Sequence, residues 1–222
     1  MKHLKIFENF IKEAVIAPYD FNGSVNMIRY MDNVTLEDLS RIFSPMEVEF
    51  VDAEYFTSKL QTKKEIELVP VGMSPLLGGI KWGAHNIYTD KMYICIDEEA
   101  FLNSLNGPNK NKVLDLLEEI LRHESVHKQQ AERRPGVMIR NLERSPREPK
   151  RYFSSTDEIM AYADSFIFQC RKRGLSDDQI LDTLKNGDKV SWIQKVYSDM
   201  DFETQKRFKK YVYQYLTGGV VF

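Results

Sequence analysis

"LLEEILRHESVHKQQ", residues 116–130, decides how the rest of the chain is read. Val113, Leu117, Ile120 and Leu121 recur at helical spacing, which predicts a helix over roughly 110–132. At about 100° per residue these four form one apolar stripe, while Asp115, Glu118, Glu119 and Arg122 point away from it. Further along the same helix, Glu124 falls near the centre of the stripe, with His123 and His127 beside it. Ionisable groups on a core-facing stripe are costly unless they are paired or bound to a metal. Two readings follow: a metal site, or a polar cluster whose members satisfy one another without an ion. The spacing suits the first. Residues i and i+4 share a helix face one turn apart, so two imidazole nitrogens can reach one zinc ion. The residue after the first histidine then faces the open coordination position, where a carboxylate can take a proton from water.

Upstream of this helix the composition is strand-like. "MEVEFVDAEYF", "EIELVPV", "GIKWGAHNIYT" and "KMYICID", all within 46–97, are rich in β-branched and aromatic residues. "NIYTDKMYICI" reads as a hairpin turning at Thr89, Asp90 and Lys91. A small, mainly antiparallel sheet is expected. The glycines of "GMSPLLGGIKWG" predict a loop or bulge where something approaches the backbone closely. Before the strands, residues 4–14 read as a short amphipathic helix, "APYDFNGS" as a break, and Thr35 as the cap of a helix ending before Pro45. After the HESVH segment, helices are expected over roughly 156–173, 177–186 and 201–216. The segment "RRPGVMIRNLERSPREPKRYFSS" reads as a solvated connector or as a basic lip over a cleft. Strands followed by helices predict an α+β fold, as one domain over 15–222 preceded by the segment 1–14.

Composition bounds the partners. A formal net charge of −2 gives no reason to expect nucleic acid or an anionic membrane surface. No apolar run is long enough to cross a bilayer, and "MKHLKIFENF" lacks the apolar core of a secretory signal. Cys95 and Cys170 stand far apart in apolar runs and read as buried thiols in a reducing compartment, the cytoplasm.

His123, Glu124 and His127 resemble the H-E-x-x-H signature of the zincin metallopeptidases. The resemblance implies an α+β fold with a small sheet, an active-site helix and a C-terminal helical part. It implies zinc as the cofactor, His123 and His127 as ligands, and Glu124 as general base. The substrate would be a peptide or protein laid along an edge strand, for which "MYICID" is the match, near residues 92–97. In such enzymes the ion polarises the scissile carbonyl, and the base hands the water's proton to the leaving amine. Lys128 and Gln129 depart from the pattern, which has uncharged or apolar residues there.

The third ligand is sought in "SSTDEIMAYADSFIFQC". Glu158 flanks the apolar stripe Ile159, Tyr162, Ala163, Phe166, Ile167 and Cys170. "EIMA" also resembles the E-x-x-A form of the glutamate-ligand zincins, although position 162 is tyrosine where the alternative form has aspartate. Glu158 has a second reading, as the far member of a capping box opened by Ser155. With Ser154 as the cap, Asp157 would take that role and free Glu158. Asp157 and the more distant His85 stand as other ligand candidates. Asp164 is a candidate for steadying a ligand histidine, and Tyr152 or Tyr162 for stabilising an oxyanion.

"MKHLKIFENFIKEA" resembles the head-targeting peptide of internal proteins in large tailed bacteriophages. That implies cleavage after Glu13 and association with the capsid interior. An amphipathic docking helix explains the same residues. The chemistry of HESVH is unlike the serine-type prohead protease. A non-enzymatic virion or interaction protein with a structural or residual metal site is the rival to a peptidase.

Overall fold

The computed structural model describes residues 21–56, 58, 77–133, 155–186, 197 and 200–217. The helix expected over 4–14, cleavage after Glu13, the "EIELVPV" strand, the basic connector and Tyr152 lie outside the described residues. Two compact units are present, one within Pro18–Arg147 and one within Glu148–Phe222. The fold class is α+β.

The first unit opens with α1, Phe21–Arg29, in a stretch read from sequence as a break. Gly23 and the asparagines weaken its intrinsic helix preference. Phe21, Val25 and Ile28 bury one face, and Arg29 pairs with Asp115 and Asn111 on a later helix, so tertiary packing supplies what propensity lacks. Helix α2, Leu36–Phe43, starts where expected: Thr35 and Asp38 form a reciprocal capping box, and the chain leaves the helix at Ser44 before Pro45.

Strand β1, Val48–Asp52, is followed by a single helical turn at Ala53–Tyr55. Strands β2, Ile80–Asn86, and β3, Lys91–Ile96, form the expected hairpin. Its turn closes through Asp90, which takes a left-handed φ of 59°. A bulge between Ile80 and Trp82 and the positive φ of Gly79, 80°, bear out the reading of the glycine-rich stretch. At Gly79 a Cβ would stand 2.4 Å from the Phe101 backbone nitrogen.

The sheet order is β1-β3-β2, which corrects two expectations. β1 pairs with β3 in parallel, Val48 against Met92, so the sheet is mixed, with one parallel and one antiparallel ladder. Residues 91–96 also form the central strand, with both edges hydrogen-bonded, so a substrate strand cannot add there. The reason is legible in "MYICI". Met92, Ile94 and Ile96 face one core while Tyr93 and Cys95 face another with Phe56 and Ala84. A strand buried on both faces reads as a continuous apolar run and belongs in the middle of a sheet.

Asp97 caps helix α3, Glu98–Leu105, which follows directly and was not expected. Helix α4, Lys110–Arg133, carries HESVH. Its stripe Val113, Leu117, Ile120 and Leu121 joins the main core with β3 and α1. Glu118 and Glu119, which point away from the apolar stripe, are nonetheless buried at 3% and 4% exposure, because α4 is enclosed around most of its circumference from 117 to 131.

The second unit contains α5, Thr156–Lys172, α6, Asp177–Asn186, and α7, Phe202–Thr217. Its core joins Ile159, Tyr162, Phe166, Ile167 and Cys170 to Ile180, Phe208, Tyr211 and Val212. Those α5 residues belong to the stripe read from the sequence. Cys95 and Cys170 are free and buried, and burial pushes each thiol up to about 11.

Candidate metal centre

One turn of α4 sets the histidine geometry. His123 is partly exposed and His127 is buried. Their Nε2 atoms stand 3.2 Å apart, with ring planes crossed at 77°. His127 Nδ1 lies 3.0 Å from Gln130 Oε1. An amide oxygen can only accept, so Nδ1 carries the hydrogen and the lone pair of His127 sits on Nε2, facing His123. Gln130 is one turn further along the same helix. Sequence reasoning overlooked it, although its i+3 spacing from His127 is visible.

Glu124 shares this face, 7% exposed, and packs against the backbone of β2 at Gly83. Two positions along β2, His85 is also buried. Its Nε2 donates to Asp90 Oδ1 at 3.1 Å. Burial pushes the His85 imidazole down to about 4, against the pull of Asp90, and the nearby charge of Lys128 pushes the same way. His85 is therefore neutral at pH 7 and anchored to the hairpin turn.

Lys128 departs from the resemblance for a structural reason. It is 2% exposed, and its Nζ donates to the Asp90 carboxylate at 2.9 Å, to the Asp90 carbonyl at 3.0 Å and to Glu47. Glu47, with φ 57°, and Asp90 both occupy left-handed conformations that most side chains avoid. The residue after the second histidine thus ties the HESVH helix to the start of β1 and to the β2–β3 turn. Gln129 beside it is buried as well.

In the second unit, Ser155 is the cap of α5, and its hydroxyl accepts from the Glu158 backbone nitrogen at 3.2 Å. The alternative with Ser154 as cap is thereby set aside. The Glu158 side chain is nonetheless enclosed, at 1% exposure, and Asp157 is buried beside it. Tyr162 belongs to the core of this unit, and Asp164 is half-buried on the same helix. Among the described residues, His123 and His127 of α4 each offer one ligand nitrogen, while Glu158 is a buried carboxylate of the second unit.

A tetrahedral ion bound at 2.0–2.1 Å holds two nitrogen ligands roughly 3.3–3.4 Å apart, so the histidine pair has close to the separation zinc imposes. Two imidazoles also match zinc's preference for nitrogen donors. No protein-family model, curated protein or solved structure matches the chain. None of the described helices is long and apolar enough to cross a membrane. The site is that of an α+β protein with an H-E-x-x-H helix packed on a small mixed sheet.

Proposed function

We propose that the protein is a zincin-like zinc hydrolase acting on peptide bonds. The observation that carries this reading is the His123–His127 pair: two Nε2 atoms 3.2 Å apart, one of them held in the ligating tautomer by Gln130. His123 and His127 are the proposed zinc ligands, and Glu158 is the third ligand proposed on the E-x-x-A resemblance of its segment. Bound there, the ion would supply Lewis acidity for the scissile carbonyl and for water. Glu124 would take a proton from the attacking water and pass it to the leaving amine. The peptide is proposed to lie along β2. That strand pairs on one side only among the described residues and touches Glu124 at Gly83.

Two measurements test the reading. Protein purified from zinc-containing medium is expected to carry one zinc per chain by elemental analysis, and His123→Ala to lose it. Glu124→Gln is expected to keep the zinc while cleavage of a quenched fluorescent peptide library falls about 10²–10⁴-fold. Wild-type turnover in Glu124→Gln removes the base assignment. A wild type with no zinc removes the class. Zinc without cleavage replaces the hydrolase with a structural metal site.

A further inference from the structure

We infer that Gly83 is a positioning residue for Glu124, because the missing side chain at this point of β2 sets where the general base can lie. The inference rests on the hydrolase reading. Gly83 sits within β2, opposite Ile94 in the ladder. Glycine weakens a strand interior, so its presence there marks a close approach. Its φ is not positive, so the backbone conformation accepts any residue. The constraint is space. A Cβ at this position would stand 2.4 Å from Ile120 Cγ2, 3.0 Å from Glu124 Cγ and 3.1 Å from Glu124 Oε1.

Ile120 and Glu124 are four residues apart and meet Gly83 from the same face of α4. A methyl group must therefore displace Ile120, turn the Glu124 carboxylate, or lift the helix from the strand. Lys128 opposes the third course, since it pins α4 to the hairpin turn beyond His85. The displacement then falls on the side chains of Ile120 and Glu124, while the imidazole pair stays in place. Gly83 acts through Glu124.

The test compares wild type, Gly83→Ala, Ile120→Ala, Glu124→Gln and the double variant Gly83→Ala/Ile120→Ala. The double variant removes the 2.4 Å contact and keeps the two Glu124 contacts. Each protein is loaded with cobalt(II), whose visible absorption responds to the carboxylate beside the ion, and zinc affinity is measured by competition with a chelating dye. Gly83→Ala and the double variant are expected to keep wild-type zinc affinity and to shift the cobalt spectrum toward that of Glu124→Gln. On a cleaved peptide, kcat is expected to fall by up to about 10²-fold, the cost of a full ångström of misplacement, with KM unchanged. Ile120→Ala alone is expected to keep the wild-type spectrum and kcat.

A double variant with wild-type spectrum and kcat overturns the inference, since Gly83 would then matter only for packing against Ile120. Equal losses of zinc affinity and turnover in Gly83→Ala overturn it too, because the helix would have moved as a body. Failure of the wild type to bind cobalt overturns the hydrolase reading and the inference together. Normal cobalt binding with an unshifted Gly83→Ala spectrum overturns the inference alone.

Discussion

At the scale of single residues, hydrogen-bond donors and acceptors decide the chemistry. Gln130 holds His127 by its Nδ1 hydrogen, and partners of this kind typically contribute 10–100-fold to metal affinity. Gln130→Met keeps the bulk and removes the acceptor, so zinc affinity by dye competition is expected to fall by about that factor. Gln130→Glu can still accept and is expected to bind at least as tightly as the wild type. Equal affinities for Met and Glu at this position would show that the contact is incidental. His85 gives a pH signature of its own. Its folded-state pKa of about 4 lies below the ordinary 6.5, so between those values the unfolded chain binds a proton that the folded chain refuses. Stability from this group is complete above pH 6.5 and is lost as the pH falls toward 4, by about 3 kcal/mol at most. Urea unfolding at pH 7 and pH 5, in EDTA, should show a smaller drop in His85→Gln than in wild type. Parallel drops would mean that other groups dominate.

At the scale of elements, the join between α4 and the sheet is ionic and asymmetric. Lys128 is buried, whereas the side chains of Glu47 and Asp90 are about half exposed, at 52% and 47%. Removing the lysine leaves carboxylates that water can reach. Removing both carboxylates takes two ion-pair partners from a charge buried in the interior, and breaking a buried pair costs about 3–5 kcal/mol. Lys128→Met is therefore expected to change the free energy of urea unfolding little, and Glu47→Gln/Asp90→Asn to lower it by an amount near that range. The reverse order would mean that Lys128 acts mainly through its hydrophobic stem. The same elements show what a sequence can and cannot reveal. Thr35 and Asp38 sit three residues apart, and their capping box was half visible as a threonine before an apolar run. Helix α1 was hidden because its partners Asn111 and Asp115 are more than 80 positions away. The central place of β3 was present in the unbroken apolar run of "MYICI", but an edge strand was inferred from the resemblance instead.

At the scale of the whole molecule, metal binding should appear as stability. A ligand that binds only the folded state raises stability by RT ln(1 + [L]/Kd), or about 2.7 kcal/mol at a hundredfold excess over Kd. Chelation with EDTA is expected to lower the thermal midpoint of the wild type and leave that of His123→Ala unchanged. An EDTA-insensitive wild type would remove the metal from the fold's energetics. The chain by itself determined the helical periods, the Thr35 cap, the hairpin at Asp90 and the placing of His123, Glu124 and His127 on one helix face. These follow from neighbours a few positions apart, whose geometry the backbone repeat dictates. Only the tertiary structure decided the parallel pairing of β1 with β3, the burial of Glu118 and Glu119, the partners of Lys128 38 and 81 residues distant, and the contact of Gly83 with Glu124. Such contacts depend on which distant surfaces exclude water together, and no local spacing records that.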